Sequence, residues 1–358
     1  RQRQMCIRDR DIIRTIAIAL VILIHALGLS IDGYTFPIFG VSGFARIYLR
    51  RLCFACVPLF LMLSGYLNIN KEGAVSIWKK SFPHLVGTYL FWSILALGFD
   101  IFILHSEFTK KSIIDILNYS CLWGRAWYMD LYFGVLMLMP FINKGWKALE
   151  KKEKSILLIV LFIISFVSKY ISSVSSIFFN NETHLVVISS HFFNMSYLFY
   201  YLCGAYISEY GVKYKKILYF TIWQIILVLH SLYYMIIGYG KLYNEIPGVS
   251  SIWYDNMFLA IEAVLMFMLL YDVKFKEKSS KVVRKCFSMV SILSFDMYLC
   301  SYITDMFINR KIGWVYYKWP FWGALSVSFL ASFILSLFIS EMKKCVENKI
   351  KDRRKAEK

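Results

Sequence analysis

The sequence predicts an all-α polytopic membrane protein, with about ten transmembrane helices in one bundle and both termini in the cytoplasm. Of the 358 residues, 58% are hydrophobic and only 18% are charged, and the mean hydropathy is +0.55. Soluble domains are about 45–50% apolar and about 25% charged. The apolar residues also come in blocks of about 20, the length that a helix needs to cross a bilayer. A transmembrane β-barrel would show alternation over about 10 residues instead.

Each predicted span is an apolar run with charged or polar flanks. In chain order the spans cover residues 12–30, 49–67, 84–104, 127–142, 155–175, 192–210, 217–238, 252–272, 289–308 and 320–341. The fourth run is short and the sixth is rich in tyrosine. The first run is too long for the apolar part of a cleavable signal peptide, so we expect it to remain as a span.

The distribution of Lys and Arg orients these spans. With a cytoplasmic N-terminus, the inner segments carry 29 Lys and Arg residues and the outer segments carry ten. Cytoplasmic loops of membrane proteins are enriched in these residues, so the split favours cytoplasmic termini. We therefore assign residues 1–11 to a cytoplasmic segment with no role beyond its charge, 12–341 to one transmembrane domain and 342–358 to a basic cytoplasmic tail.

The net charge and the cysteines are both explained by the membrane fold and do not indicate a separate function. The formal charge of +18 is the cytoplasmic excess just described, so membrane lipids rather than nucleic acid are the expected partners. Most of the eight cysteines lie inside apolar runs, where they pack as small core residues. Cys53 and Cys56 form a CxxC pair without a second pair at zinc spacing, so we expect no metal. The oligomeric state is not predicted.

Ionisable residues in the first span are the clearest functional signal. Arg14 and His25 are separated by about three helical turns plus about 20°, so they share one helix face at a distance of about 16 Å along the axis. Asp11 lies within about 40° of the same stripe. Charged groups inside a span are costly and mark functional sites by default.

A structural explanation of this stripe stays open. Arg14 could extend to the inner headgroups and His25 could hydrogen-bond to a neighbouring helix. The shared face favours the other interpretation, because a lipid-facing His beyond the midplane would lack a partner. A stripe of Asp, Arg and His indicates a cavity within the bundle that holds water or a ligand.

Five blocks of the sequence resemble motifs of the acyltransferase-3 family of integral membrane acyltransferases. The opening block is Asp11-x-x-Arg14-x-x-Ala17 with Val21 and His25, similar to the family's Arg or Lys, ten residues and His. The other four resemble its VPLFF-x-x-SGY, HLWYL…P, YLLG and SFGIYL motifs, and they are Val57–Tyr66, Trp127-Tyr128 with Pro140, Tyr201–Gly204 and Ser294–Leu299. The blocks follow the family's order and span residues 11–299.

The chain also departs from these motifs. Arg125-Ala126 precede Trp127 where the family usually has a His, and Cys300-Ser301 follow the last block where a His is common. Lys79-Lys80 open the third span where arginines are more usual, and Arg50 and Arg51 lie farther from Pro58 than the family's Arg does. The departures concern the acceptor site and leave Arg14 and His25 intact.

The resemblance implies a membrane O-acyltransferase that uses acetyl-CoA or another acyl-CoA as co-substrate and a sugar hydroxyl as acceptor. A His is suited to act as the base, since its unperturbed pKa is about 6.5, and an Arg binds phosphates through its permanent charge and planar fork. His25 is thus the predicted catalytic base, with Arg14, Lys79 and Lys80 as donor-binding residues. Candidates for the acceptor site or cavity are Arg51, Trp127, Tyr128, Tyr298 and Ser301.

Trp127 and Tyr128 also suit an interfacial anchor, because aromatic residues concentrate at bilayer surfaces. The pantetheine arm of CoA is about as long as the separation between Arg14 and His25. The phosphorylated end could therefore stay in the cytoplasm while the thioester reaches His25.

A transporter or polymerase of polysaccharide or lipid-linked sugar is the alternative function, since such proteins also carry intramembrane Arg and aromatic residues. A transporter should show symmetric halves with paired broken helices, and the sequence has no such repeat. We therefore favour the enzyme.

Four acidic residues inside other spans are interpreted as structural. We expect each of them to pair with Lys169, Arg125 or a backbone group, and such pairing stabilises helix packing in a bilayer. The four residues are Glu262, Asp130, Asp296 and Asp305.

Overall fold

The structure is a computed structural model that describes residues 2–31, 40–71, 73–122, 124–178, 185–240, 254, 256–273, 281–312 and 319–356. Within these residues every regular element is a helix. The α-helices are α1 (Gln2–Ile31), α2 (Val41–Phe54), α3 (Cys56–Asn68), α4 (Ala74–Phe102), α5 (Lys110–Leu117), α6 (Trp127–Ala148), α7 (Lys151–Phe162), α8 (Ser168–Phe178), α9 (Ser196–Tyr210), α10 (Lys216–Gly240), α11 (Met257–Leu270), α12 (Lys281–Ile312) and α13 (Phe321–Ala356). A π-helical turn, Ile163–Val167, joins α7 to α8, and a 3₁₀ segment, Ser190–Met195, precedes α9.

The helices agree with a multi-pass membrane fold. In the described part of the chain, seven segments are long and apolar enough to cross a bilayer, and they are Arg10–Gly28, Val41–Asn68, Ala74–Phe102, Lys151–Ser172, Lys216–Met235, Lys281–Lys311 and Phe321–Arg353. The three remaining predicted spans coincide with α6, α9 and the short apolar helix α11. Residues 252, 253 and 255 of the predicted eighth span lie outside the described residues. The all-helical prediction is confirmed, whereas the count of ten and the orientation stay predictions.

Helix ends differ from the predicted boundaries at both ends of the chain. Helix α1 begins at Gln2, so residues 2–11 continue the first span as helix. Helix α13 runs without a break to Ala356, so residues 342–356 of the basic tail extend the last span as helix. Hydropathy marks where a helix leaves the apolar layer, but Lys, Arg and Glu are good helix formers and let the helix continue.

The chain folds into two compact units, each built from separate stretches of sequence. The first consists of Arg1–Leu20, Phe36–Glu72 and Met139–Glu277, and the second of Val21–Thr35, Gly73–Leu138 and Lys278–Lys358.

A close crossing of α3 and α9 organises the first unit. A Cβ atom added to Gly65 would lie 1.8 Å from the backbone oxygen of Tyr201, and one added to Gly204 would lie 1.8 Å from that of Met62. The two backbones are therefore in direct contact at both glycines. Small residues allow such an approach between membrane helices, which gives the Ser-Gly-Tyr and Tyr-Leu-Cys-Gly blocks a packing role.

We expect Gly204→Ala to prevent normal packing of α3 against α9. Its methyl group would meet backbone, which cannot move aside as a flexible side chain can, and overpacking alone costs about 1–3 kcal/mol. The yield of monodisperse protein in detergent and the midpoint of thermal unfolding should both fall. Gly87→Ala on α4 is the control, since nothing lies within 4 Å of its added Cβ. Equal behaviour of the two variants would contradict the close crossing.

Packing of α12 against α13 organises the second unit. Ser328, Ser332, Ser336 and Ser340 are buried at intervals of four residues on one face of α13. The hydroxyl of Thr304 on α12 lies 3.0 Å from that of Ser332 and 2.8 Å from that of Ser336. Small hydroxyl side chains thus allow the two helices to approach closely, and these hydroxyls hydrogen-bond to one another across the contact.

Candidate functional site

His25 lies in the second unit, on the part of α1 that follows Val21. The imidazole is partly buried, and the following residues Ala26 and Leu27 are buried. The guanidinium of Arg125 interacts electrostatically with it. The predicted base is therefore within electrostatic range of a charged residue, at the position where the resembled HLWYL motif has a His.

Several contacts hold Arg125 in place. Its Nη1 atom forms an ion pair with Asp305 on α12, and the side chain of Arg125 is 10% exposed whereas that of Asp305 is buried. Its guanidinium lies 5.8 Å from the centre of the Tyr302 ring, and its backbone oxygen accepts a hydrogen bond from the hydroxyl of Tyr298. Ser332 on α13 donates a hydrogen bond to the second oxygen of Asp305. These contacts hold Arg125 in one position and pair its charge, as a cation removed from water requires.

The predicted aromatic residues surround the start of α6. The rings of Tyr128 and Tyr298 meet edge to face with centroids 5.9 Å apart, and those of Trp127 and Tyr128 are 6.1 Å apart. Ser301 is buried and donates a hydrogen bond of 2.8 Å to the backbone oxygen of Tyr298. The structure brings these four residues together, while their roles at an acceptor stay predictions.

A further contact extends from Arg125 toward α4. The hydroxyl of Tyr302 donates a hydrogen bond of 2.7 Å to Oδ1 of Asp100, near the end of α4. Asp100 did not emerge from the sequence as a candidate. An acidic residue at the end of an apolar run is the only signal that could have found it.

The predicted donor-binding residues lie in both units. Arg14 is partly buried in the first unit, and its helix neighbour Asp11 is buried. Lys79 and Lys80 belong to the second unit and are exposed near the beginning of α4. Arg14 and His25 both lie on helix α1, and their joint role at a donor stays a prediction.

Arg51 belongs to a buried cluster in the first unit. Its guanidinium lies 3.3 Å from the centre of the Tyr234 ring, and it interacts electrostatically with Glu262. Nδ1 of His230 lies 2.8 Å from Oε1 of Glu262, and the His230 ring stacks on Phe258 at 5.2 Å. Arg51 Nε, His230 Nε2 and Glu262 Oε2 are buried without a hydrogen-bond partner among the described atoms.

The sequence interpretation missed His230 and gave Glu262 the wrong set of partners. Asp305 does pair with Arg125, which was one of the expected partners, but Glu262 pairs with His230. Both His230 and Glu262 are ionisable residues within apolar helices, and that signal could have linked them.

The arrangement around His25 combines a possible base with a fixed cation. An imidazole can take a proton from a hydroxyl, and a guanidinium can stabilise negative charge that develops on a carbonyl oxygen. Proton transfer and acyl transfer are therefore within the chemistry of these side chains.

Comparison with known proteins supports the same chemistry. The sequence model of a family described as acyltransferase domain matches residues 8–341, which is nearly the whole chain. No curated protein and no solved structure gives a significant match. The match includes His25, Arg125 and all the motif blocks found in the sequence, and the chain belongs to the acyltransferase-3 family of membrane acyltransferases.

Proposed function

We propose that the protein moves an acyl group, expected to be acetyl, from acyl-CoA to a hydroxyl of a cell-envelope or exopolysaccharide sugar at the plasma membrane. Family membership supports acyl transfer. The proposed mechanism rests on one observation. His25 is partly buried on a membrane helix, and it interacts electrostatically with Arg125.

The proposed reaction needs one base and one cation. The imidazole of His25 takes the proton of the acceptor hydroxyl while the oxygen attacks the thioester carbonyl. Arg125 stabilises the negative charge that develops on the carbonyl oxygen. The carbon–sulfur bond then breaks, the thiolate of CoA takes the proton from His25, and the products are an ester and free CoA.

Donor binding in this proposal uses the basic residues. Arg14 offers a permanent charge and a bidentate fork to a phosphate, and Lys79 and Lys80 offer exposed ammonium groups. Each suits an anionic donor at the cytoplasmic side predicted from the distribution of Lys and Arg.

Release of free CoA tests the proposal directly. Purified protein in lipid vesicles is incubated with acetyl-CoA and an extract of envelope glycans, and CoA and O-acetylated sugar are measured by thiol assay and mass spectrometry. We expect the two products in equal amounts and only when glycan is present. Glycan movement across the vesicle membrane without CoA release would contradict the proposal and favour a transporter.

Variants of Arg14 separate donor binding from chemistry. We expect Arg14→Ala to raise the KM for acyl-CoA about tenfold or more, because a hydrogen bond to a charged group contributes about 1.5–3 kcal/mol. Arg14→Lys keeps the charge but loses the fork, so its KM should be intermediate. Titration of acyl-CoA at matched amounts of folded protein measures the effect. Unchanged donor affinity in folded Arg14→Ala would remove Arg14 from the donor site.

A further inference from the structure

A polar cleft lies in the second unit at the end of α4. It has an empty volume of about 600 Å³ including its open mouth, and it is bounded by the last turns of α4, by α5 and by the segment that follows α5. Asp100, Glu107, Asp115 and Cys121 line it together with four serines. With the predicted orientation, this end of α4 faces outward, where an envelope sugar is located.

The lining indicates the chemistry of a ligand. Three carboxylates, those of Asp100, Glu107 and Asp115, share the cleft with four serine hydroxyls. Among the described lining residues, no side chain is cationic; the nearby Lys110 and Lys111 are exposed and do not line the cleft. Carboxylates accept hydrogen bonds from hydroxyl and ammonium groups and repel anions.

The cleft is connected to the proposed base by side chains already described. Asp100 lines the cleft and accepts the hydrogen bond from Tyr302, and the ring of Tyr302 lies beside the guanidinium of Arg125. Arg125 in turn interacts with His25. A ligand in the cleft is therefore connected to His25 through Asp100, Tyr302 and Arg125, which belong to the same unit.

We propose that this cleft binds the acceptor and selects for neutral or amine-bearing sugars against acidic ones. This inference rests on the proposed acyl transfer for its link to function. The proposal is based on three observations: the cavity itself, its lining of hydroxyls and carboxylates, and its connection to Arg125.

Protection of Cys121 tests binding without reference to activity. Cys121 is partly exposed and lines the cleft, so a bound sugar should slow its alkylation by a maleimide. Cys6, Cys286 and Cys345 are first replaced by Ser, and the probes are methyl glucoside, methyl glucosaminide and methyl glucuronide. We expect protection by the first two and none by the glucuronide. Equal protection by the glucuronide, or no protection by any of the three, would overturn the proposal.

Acceptor kinetics supply the second test. Asp115→Asn should raise the KM for the glycan acceptor about tenfold, as the loss of a charge-assisted hydrogen bond implies, and should leave the KM for acyl-CoA unchanged. Asp352→Asn, at an exposed position on α13, is the matched control. Absence of CoA release in the unmodified protein would refute the proposed function alone. Normal CoA release with an unchanged acceptor KM in Asp115→Asn would refute the cleft alone.

Discussion

His25→Ala should lower kcat by about 10²–10⁴-fold with the KM for acyl-CoA nearly unchanged, since general base catalysis contributes a factor of that size. The residue touches the reacting hydroxyl in the proposed reaction and not the phosphates of the donor, so the effect belongs to the chemical step. Measurement requires initial rates over a range of acyl-CoA concentrations at matched amounts of folded protein.

The matched control is His191→Ala, which removes an exposed imidazole from the 3₁₀ segment of the first unit. It should retain the kcat and both KM values of the unmodified protein. Full activity in His25→Ala would exclude His25 as the base, and a rise in donor KM alone would assign it to donor binding.

Arg125→Ala should destabilise the protein by about 3–5 kcal/mol, because it leaves the buried carboxylate of Asp305 without its cation. Adding Asp305→Asn to this variant should restore most of the lost stability, since no uncompensated charge then remains. Thermal or denaturant unfolding in detergent measures both steps, and it does so independently of the catalytic effect that Arg125→Ala should also have.

The pair of Lys344 and Glu341, 4.0 Å apart with side chains 35% and 40% exposed, supplies the control. Exposed ion pairs contribute about 0–1 kcal/mol, so Lys344→Ala should leave stability almost unchanged. If the double variant of Arg125 and Asp305 were no more stable than Arg125→Ala, the ion pair would not be what stabilises this region.

Hydropathy was sufficient to predict the class of fold. Within the described residues the apolar runs fall on helical segments, because about 20 apolar residues leave few other ways to satisfy the backbone in lipid. The match is not one helix to each run, since run 49–67 covers parts of α2 and α3, and run 155–175 covers parts of α7 and α8 with the π-helical turn between them. The helix ends were less predictable. Gln2 and Ala356 lie far outside the apolar runs, and charged residues extend α1 and α13 beyond them.

Contacts between distant segments could not be predicted in the same way. Arg125 and Asp305 are separated by 180 positions, and no period or local motif connects them. The motif blocks identified the family and His25, but the same method could not show that Gly65 and Gly204 allow two backbones to touch. Local spacing determines which residues share a helix face, whereas the partner of that face depends on the packing of the whole unit.

The buried cluster of Arg51, His230 and Glu262 has a consequence for how the protein is made. Arg51 lies in the last turn of α2 and is buried, and a buried charge is costly until it has partners. It is synthesised long before its neighbours in the cluster. At about 5–20 residues per second, the roughly 180 residues between Arg51 and His230 take about 10–40 s to translate. During that time α2 needs a polar environment at the translocon or a temporary partner. Biogenesis of the first unit is therefore complete only when α10 and α11 arrive.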